Sequence, residues 1–186
     1  VTNNDPSGFQ RLPSLFDLIV VDAPCSGEGL FRKDNHAMKE WSMANIELCS
    51  SRQKRILSDI WPSLKPGGVL IYSTCTYNLE EDEKNIEWLS RQNSIESLRV
   101  PISPGWGVKE IEHNGLFAYK FFPHHVKGEG FFISAVRKKD GLTQGSLPKP
   151  KRTLGTVTKS ESEVLTEWFD EGQDTSLFKY HYQINA

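Results

Sequence analysis

Two continuous apolar runs on either side of a helical stretch most constrain the fold of this chain. The first run, DLIVVD, covers residues 17–22, and the second, VLIYS, covers residues 69–73. Runs of this length are typical of strands that are buried on both faces of a parallel sheet. Between them, residues 45–64 carry apolar side chains at close to helical spacing: Ile46, Cys49, Ile56, Leu57, Ile60 and Leu64. Strand, helix and strand in this order predict an α/β fold with a right-handed crossover and a parallel sheet.

Turn and capping signals predict the elements that follow. The KPGG run at residues 65–68 is expected to end the helix. Asn78 is expected to cap a further helix that runs to about Arg91, with Glu81 completing a motif like a capping box. Two apolar and aromatic runs, residues 116–122 and 130–136, flank a turn-rich segment and predict a closing antiparallel pair.

The C-terminal part changes in composition. Residues 140–159 are rich in Gly, Ser, Pro and Thr, with no acid after Asp140, and are interpreted as a linker. Ser160 then begins a capping box, SESE, that predicts a helix to about Phe169 and the beginning of a small accessory domain over residues 160–186. Because the chain opens with VTNND rather than methionine, we expect it to be a piece of a longer protein.

Composition and charge limit the class of protein to which this chain can belong. The 186 residues are 37% hydrophobic and 25% charged, which fits one globular domain or one domain with part of another. A net charge of −2 does not by itself indicate a nucleic-acid partner, although a local basic strip would suffice for one. Three cysteines, no signal peptide and no apolar run near 18 residues predict a soluble cytoplasmic protein without a membrane span.

Two of the cysteines follow the predicted strands directly. Cys25 stands in the sequence PCSGEG and Cys75 in STCT. Ligands of open parallel sheets bind beyond the carboxyl ends of the strands, so we expect both thiols to face one pocket. Cys49 lies in the middle of the predicted helix and is expected in the core.

Most thiol chemistries fit these residues poorly. A phosphatase loop holds five residues between cysteine and arginine, whereas six separate Cys25 from Arg32. Zinc sites use closely spaced cysteine pairs, which the sequence lacks, so no metal is expected. A cysteine–histidine pair has candidates but no recognisable local signature: His36, His113, His124, His125 and His181.

A mechanism with two thiols fits better. Carbon 5 of cytosine is a poor nucleophile until a thiolate adds to carbon 6, and a second thiol can assist release of the product. Asp22, at the end of the first strand, is placed to hold the amino group and ring nitrogen of the base. Pro24 stiffens the turn, and Gly27 and Gly29 are expected to let the backbone approach the planar base.

Three segments carry a family resemblance: DAPCSGEGLFRKD (22–34), LKPGGVLIYSTCTYN (64–78) and FPHHVKGEGFF (122–132). Over about residues 1–139 the chain resembles the RNA cytosine-5 methyltransferases of the NOL1/NOP2/Sun family, in particular the branch of the bacterial ribosomal small-subunit methyltransferase F. The resemblance implies a Rossmann-like class I methyltransferase fold, of which residues 1–139 would be the C-terminal part. It also implies S-adenosylmethionine as cofactor, ribosomal RNA or transfer RNA as partner, and an accessory C-terminal domain that binds RNA.

The resemblance also implies roles for individual residues. Cys75 matches the nucleophile, and Cys25 matches the thiol that assists product release. Asp22 matches the acid at the junction of cofactor and base, next to Pro24 in the same motif, and Asp5 matches an acid near the adenosine of the cofactor. An Asx turn before Pro6 explains Asp5 equally well.

Other residues are candidates for contact with RNA or depart from the family pattern. Arg32, Lys33 and His124 are candidate RNA contacts, although each could equally be a solvated surface residue. LEED at residues 79–82 replaces the family's proline-containing run, and Glu80, Glu81 and Glu83 are expected to complement the dipole of the following helix. The family's glycine-rich cofactor loop is expected upstream of Val1.

Together these features predict methylation of carbon 5 of a cytosine in RNA, through a covalent cysteine–base adduct. Three alternatives remain open from the residues. The chain could act on transfer RNA, it could be an RNA-binding fragment without catalysis, or it could methylate DNA. The paired cysteines disfavour the last.

Overall fold

The structure is a computed structural model that describes residues 3–141 and 158–160. The chain divides into two compact units, Val1–Leu147 and Pro148–Ala186. Of the second unit only residues 158–160 are described, where the hydroxyl groups of Thr158 and Ser160 lie 3.2 Å apart. The accessory domain, the helix from Ser160 and most of the linker therefore lie outside the described residues and stay predictions.

The described part of the first unit contains six strands and three α-helices. In chain order they are β1 (Phe16–Asp22), α1 (Asn35–Glu40), α2 (Met43–Ile60), β2 (Leu64–Thr74), α3 (Glu83–Gln92), β3 (Ile95–Ser97), β4 (Lys109–His113), β5 (Leu116–Phe121) and β6 (Phe131–Lys138). Short 3₁₀ helices lie at Pro6–Arg11, Glu28–Leu30, Trp61–Ser63 and Pro104–Trp106.

The strands form one mixed sheet. Its order is β1-β2-β6-β5-β4, and β3 pairs with β6. The predicted parallel pairing of β1 and β2 is confirmed, with Val21 opposite Tyr72 and Asp22 opposite Ser73. The predicted antiparallel pairing of β5 and β6 is also confirmed. The fold class is therefore α/β as predicted, but the other described strand pairs are antiparallel, so the sheet is not parallel throughout.

The core lies between the sheet and the helices α2 and α3. Helix α2 buries Ile46, Ser50, Gln53, Leu57 and Ile60, whose spacing of three and four residues marks one face. Cys49 lies beside this stripe and is only partly buried, so its predicted place in the core is wrong. Helix α2 also ends at Ile60 rather than Leu64, and residues 65–68 belong to β2.

Strand β1 differs from the prediction in its burial. Val21 is buried, but Leu18 and Val20 are 54% and 61% exposed. Alternate side chains of a strand point to opposite faces of the sheet, and within residues 3–141 and 158–160 the face of β1 that carries Leu18 and Val20 is left open to solvent. The prediction of burial on both faces is therefore wrong for this strand.

Helix α3 begins later than predicted. It starts at Glu83 with Asp82 as its N-cap residue, whereas Asn78 closes the preceding turn. The Asn78 side chain accepts from the backbone N–H of Glu81 at 2.9 Å and donates to the Glu81 carboxylate at 2.8 Å. Only half of a capping box is therefore present, because the Glu81 carboxylate binds the side-chain amide of Asn78 rather than its backbone N–H, and the turn precedes the helix.

Candidate active site

The two cysteines that follow β1 and β2 lie side by side. The Sγ atoms of Cys25 and Cys75 are 2.8 Å apart, and both residues are free, half-buried thiols. Two backbone contacts continue the strand pairing into the loops: Ala23 N–H donates to Ser73 O at 2.9 Å, and Gly29 N–H donates to Cys75 O at 2.8 Å. The parallel pairing thus brings the thiols together, as expected from the positions of the strand ends.

The thiol pair is electrostatically asymmetric. Either sulfur can donate in this contact, but when Cys75 is ionised only Cys25 can, and this hydrogen bond lowers the pKa of Cys75 from 9.0 to about 7 against the opposing effect of burial. The same contact, together with burial, raises the pKa of Cys25 well above its ordinary value. Two sulfurs at this distance do not both carry a negative charge, so near neutral pH the pair holds a single thiolate, on Cys75.

Glu81 anchors the loop that carries Cys25. Its side chain is fully buried, and its carboxylate accepts from Ser26 N at 3.0 Å, Gln53 Nε2 at 2.7 Å and Asn78 Nδ2 at 2.8 Å. These donors belong to the loop after β1, to α2 and to the segment after β2. One carboxylate therefore fixes three segments of chain around the thiols.

Glu28 makes the reverse connection, from the loop after β1 to the segment that carries Cys75. Its carboxylate accepts from Thr76 Oγ1 at 2.6 Å, from Tyr77 N at 3.1 Å and from Trp41 Nε1 at 3.0 Å. Tyr77 in turn donates its hydroxyl to Glu28 O at 3.2 Å. Sequence reasoning missed the roles of Glu28 and Glu81; the available signal was an acid next to each cysteine loop, whose exposed backbone N–H groups require acceptors.

Gly29 permits a close approach within the protein itself. A Cβ atom at this position would collide with the backbone of Gly130 and lie 2.8 Å from Cys75 O. Gly27 has a left-handed conformation, with φ of 78°. The expectation that Gly29 makes room for a planar base is therefore corrected, because the space beside Gly29 is filled by the Cys75 and Gly130 backbone.

The predicted cofactor residues lie near an apolar cavity. Asp22 is exposed at the end of β1, accepts from Ser73 Oγ at 3.0 Å and lies on the cavity wall. The cavity measures about 410 Å³ and is lined mainly by apolar residues, including Pro6, Phe9, Phe16, Leu18, Val20 and Ile56. Pro24 is exposed, and its carbonyl accepts from Gln53 Nε2 at 2.9 Å.

Asp5 has partners of its own. Its carboxylate accepts from the backbone N–H and the hydroxyl of Ser7, at 3.1 and 2.7 Å, and caps the 3₁₀ helix Pro6–Arg11. Arg55 pairs with it at 3.2 Å, and these contacts, Arg55 first, lower the pKa of Asp5 to about 2. The Asx turn that competes with a cofactor contact is thus present.

The three candidate RNA contacts fall into two groups. Arg32 and His124 line one cleft, where Arg32 Nη1 donates to Pro123 O at 3.4 Å. Lys33 instead pairs with Glu129 at 3.6 Å. The structure therefore brings Arg32 and His124 together and places Lys33 at an exposed ion pair.

A buried cluster of charges supports the end of β2. Lys120 Nζ lies 2.7 Å from the Glu83 carboxylate and donates to Tyr77 O at 2.9 Å. Asp82 accepts from Thr74 Oγ1 at 2.7 Å, while its other oxygen has no hydrogen-bond partner and lies 3.6 Å from Lys120 Nζ. Burial raises the pKa of Asp82 to about 9. Glu81 and Glu83 are also buried, and of the three acids predicted to complement a helix dipole only Glu83 lies in the first turn of α3, whereas Glu80 and Glu81 precede the helix.

Known proteins share this arrangement of elements and motifs. Residues 1–137 match the protein family described as 16S rRNA methyltransferase RsmB/F. The chain belongs to this family.

Relatives within the RsmB/F family include bacterial enzymes with curated names. Ribosomal RNA small subunit methyltransferase F from Shigella flexneri serotype 5b is 37% identical over 147 residues, which cover 77% of this chain and 30% of the relative. The protein of the same name from Escherichia fergusonii is 38% identical over the same shares. The chain thus spans about 30% of the length of the curated relatives that it matches.

Solved structures related to this RsmB/F chain come from Pyrococcus horikoshii. The structure of NSun6 with SFG has a TM-score of 0.62 and 29% identity, over 75% of this chain and 34% of NSun6. A methyltransferase homolog protein has a TM-score of 0.54 and 32% identity, over 67% of this chain and 39% of that protein. These similarities agree with the Rossmann-like methyltransferase fold implied by the sequence.

Two further observations concern the described part of this RsmB/F chain. None of its helices has the length and apolar character needed to cross a membrane. Among the same residues, His, Cys, Asp and Glu side chains form no group of three or more that could hold a metal ion.

Proposed function

We propose that this RsmB/F chain carries the thiol pair of an S-adenosylmethionine-dependent RNA methyltransferase that acts on carbon 5 of a cytosine. The observation that carries the proposal is the 2.8 Å contact between Cys25 and Cys75, with the pKa of Cys75 lowered to about 7. A lowered pKa supplies thiolate at neutral pH, and thiolate is the nucleophilic form of cysteine. The names of the relatives support ribosomal RNA as the substrate. An enzyme that modifies bacterial ribosomal RNA would act in the cytoplasm.

Cys75 acts as the nucleophile in this proposal. Its thiolate forms a bond to carbon 6 of the cytosine, and the electron pair of the carbon 5–carbon 6 double bond moves so that carbon 5 becomes nucleophilic. S-adenosylmethionine, when bound, supplies the methyl group to carbon 5. Loss of the proton on carbon 5 then restores the double bond as the Cys75 sulfur leaves as thiolate.

Cys25 accepts the proton from carbon 5. While Cys75 is a thiolate, the neighbouring charge keeps Cys25 protonated. Once the Cys75 sulfur is bonded to carbon it carries no charge, so the main cause of the raised pKa of Cys25 is removed. Although burial still raises its pKa, Cys25 can then lose its own proton to solvent and act as the base that takes the proton from carbon 5. Because of the contact between the sulfurs, ionisation of Cys25 therefore follows bond formation at Cys75.

The residues around Asp22 fit the cofactor in part. Asp22 is exposed and accepts a single hydrogen bond, from Ser73, so its carboxylate retains capacity to accept from a ligand. It borders an apolar cavity whose aromatic residues, Phe9 and Phe16, suit a purine. Asp5 fits less well, because Ser7 and Arg55 already engage its carboxylate. The relation to NSun6, solved with the S-adenosylmethionine analogue SFG, supports this cofactor.

Substitution of each cysteine tests the assignment. Purified variants are incubated with fragments of small-subunit ribosomal RNA and S-adenosylmethionine, and adducts are resolved on denaturing gels. Cys75→Ala is expected to abolish methyl transfer and to form no adduct, because it lacks the nucleophile. Cys25→Ala is expected to accumulate a protein–RNA adduct that survives denaturation, because release is impaired. Cys49→Ala, on α2 and outside the pair, is the matched control and is expected to behave as wild type.

Two results would contradict the assignment. An adduct with Cys75→Ala in place of Cys25→Ala would reverse the roles of the thiols. RNA binding with neither adduct nor methyl transfer in any variant would favour an RNA-binding fragment without catalysis.

A further inference from the structure

A second cleft, beside the thiol pair, takes no part in the proposed chemistry. It measures about 580 Å³ and is lined by Arg32, Tyr77, Phe122, Pro123 and His124. The ring centroids of Tyr77 and Phe122 are 5.8 Å apart, and those of Phe122 and His124 are 5.5 Å apart with an angle of 33° between the planes. The cleft therefore combines aromatic surfaces with one exposed guanidinium group.

The walls of this cleft are attached to the two loops that carry the thiols. Tyr77 follows Cys75 by two residues, so their Cα atoms are separated by at most about 7 Å. Tyr77 is held by both hydrogen bonds to Glu28, and a Cβ atom on Gly130 would collide with its ring. The aromatic wall thus has a fixed position relative to the reacting sulfur.

His124 and Arg32 form the outer part of the cleft. The ring centroid of His125 lies 4.1 Å from that of His124 and 6.4 Å from that of Phe122, so His125 packs against both rings. Arg32 is tied to Pro123 O through one nitrogen, and its remaining donors are free to bind acceptors of a ligand. Exposed aromatic or imidazole rings beside an arginine are the groups on which proteins stack unpaired RNA bases.

We propose that this cleft binds the base of a nucleotide adjacent to the target cytosine, stacked on the Phe122 and His124 rings with Arg32 at its edge. The inference rests on the proposed function, because it assumes that an RNA strand reaches Cys75. When the cytosine is turned toward the thiols, its neighbour loses a stacking partner, and the cleft provides a replacement. Stacking tolerates any base, so the site would position the strand rather than read its sequence.

Abasic RNA separates base stacking from contact with phosphate. The probe is a fluorescein-labelled single-stranded RNA with one cytosine, together with versions in which either neighbouring nucleotide lacks its base. Binding to the chain is measured by fluorescence anisotropy. One of the two abasic RNAs is expected to bind wild type roughly tenfold more weakly, since stacking of one base is worth about 1–3 kcal/mol.

Substitutions in the cleft then test whether the weaker binding of the abasic RNA arises there. In a protein with both Arg32→Ala and His124→Ala, the abasic penalty is expected to fall below about twofold, because the contacts that recognise the base have been removed. A protein with Arg91→Ala and His36→Ala is the matched control. Both residues are exposed and lie outside the cleft, so it is expected to keep the full penalty.

The outcomes distinguish this inference from the proposed function. If the abasic penalty is the same in wild type and in the cleft variant, the cleft does not bind a base and the inference is overturned. If the cleft variant weakens binding of intact and abasic RNA equally, Arg32 and His124 contact phosphate only, which also overturns it. Cys25→Ala adducts alongside either result would leave the proposed function intact, whereas absence of RNA binding by the wild-type chain together with absence of adducts from Cys25→Ala would remove both.

Discussion

Removal of the Glu81 carboxylate is expected to loosen the loops that hold the thiols together. This carboxylate accepts from Ser26 N, Gln53 Nε2 and Asn78 Nδ2, and no part of the residue reaches solvent. Glu81→Ala takes away the acceptor and leaves three donors in a site without bulk water. A buried donor without a partner costs roughly 1–3 kcal/mol.

Loss of the Glu81 carboxylate affects the three donors to different extents. Gln53 Nε2 keeps Pro24 O at 2.9 Å, and Asn78 Nδ2 keeps Thr76 Oγ1 at 2.9 Å. Only the backbone N–H of Ser26 loses its acceptor completely, and it is next to Cys25. One unsatisfied donor and the lost buried volume together are expected to lower the free energy of unfolding by about 2–4 kcal/mol. This is less than the cost of leaving all three donors without an acceptor. Glu81→Gln keeps one acceptor oxygen and is expected to cost about half as much.

Urea denaturation measures the loss of stability, and thiol alkylation measures the loosening of the loop that carries Cys25. For a slope of roughly 2 kcal/mol per M, Glu81→Ala lowers the urea midpoint by about 1–2 M. Movement of the Cys25 loop also weakens the hydrogen bond to Cys75, so alkylation of Cys75 by iodoacetamide at pH 7 is expected to slow. Glu80→Ala is the matched control, because Glu80 pairs only with Lys84 one helical turn away and such pairs contribute little. If Glu81→Ala and Glu80→Ala have equal midpoints and equal alkylation rates, Glu81 does not hold the loops and the reasoning fails.

Three further predictions follow from individual contacts. Cys25→Ala is expected to move the pH midpoint of Cys75 alkylation from about 7 toward 9.0, because the hydrogen bond from Cys25 is the largest cause of the lowered pKa; an unchanged midpoint would contradict this. Gly29→Ala is expected to lower stability by roughly 1–3 kcal/mol in thermal denaturation through overlap with backbone, whereas Gly8→Ala, which has open space, is expected to change little. Asp82, with its pKa raised to about 9, keeps its proton in the folded state and loses it near 3.8 when unfolded, so its contribution to stability falls as pH rises from about 4 through 9. Asp82→Asn should flatten that slope in urea denaturation at pH 5, 7 and 9, and an equally steep slope in the variant would show that another group is responsible.

The sequence was sufficient to predict the meeting of the two thiols. Two apolar runs separated by a helix require parallel neighbours, and the register places Asp22 opposite Ser73. Cys25 lies three residues beyond Asp22, and Cys75 lies two residues beyond Ser73. These separations differ by only one residue, so both sulfurs lie at the same edge of the sheet, and this placement needs only the strand order and the length of each loop.

The burial of the acids after Cys75 was not predictable in the same way. A run of acids before a helix is normally solvated and complements the helix dipole. Here Glu81 is bound by the backbone of Ser26, and Glu83 by Lys120, from segments 55 and 37 residues away in sequence. A carboxylate is buried only where donors replace its water, and local pattern contains no information about donors that arrive from distant segments.

The difference in pKa between the two thiols could not be predicted from the sequence either. Each cysteine follows a strand, and each stands next to a residue with a hydroxyl group. The difference depends on a contact between two sulfurs 2.8 Å apart, in which either thiol can donate and ionisation of Cys75 fixes the direction from Cys25 to Cys75. That direction makes Cys75 the stronger nucleophile and keeps Cys25 protonated for as long as Cys75 is charged. In the proposed reaction, bond formation at Cys75 would remove the charge and with it the largest cause of the raised pKa of Cys25, so Cys25 would become easier to ionise only after the nucleophile has reacted. The loop contacts of Glu28 and Glu81 matter to function for this reason, because the coupling weakens steeply as the sulfurs separate.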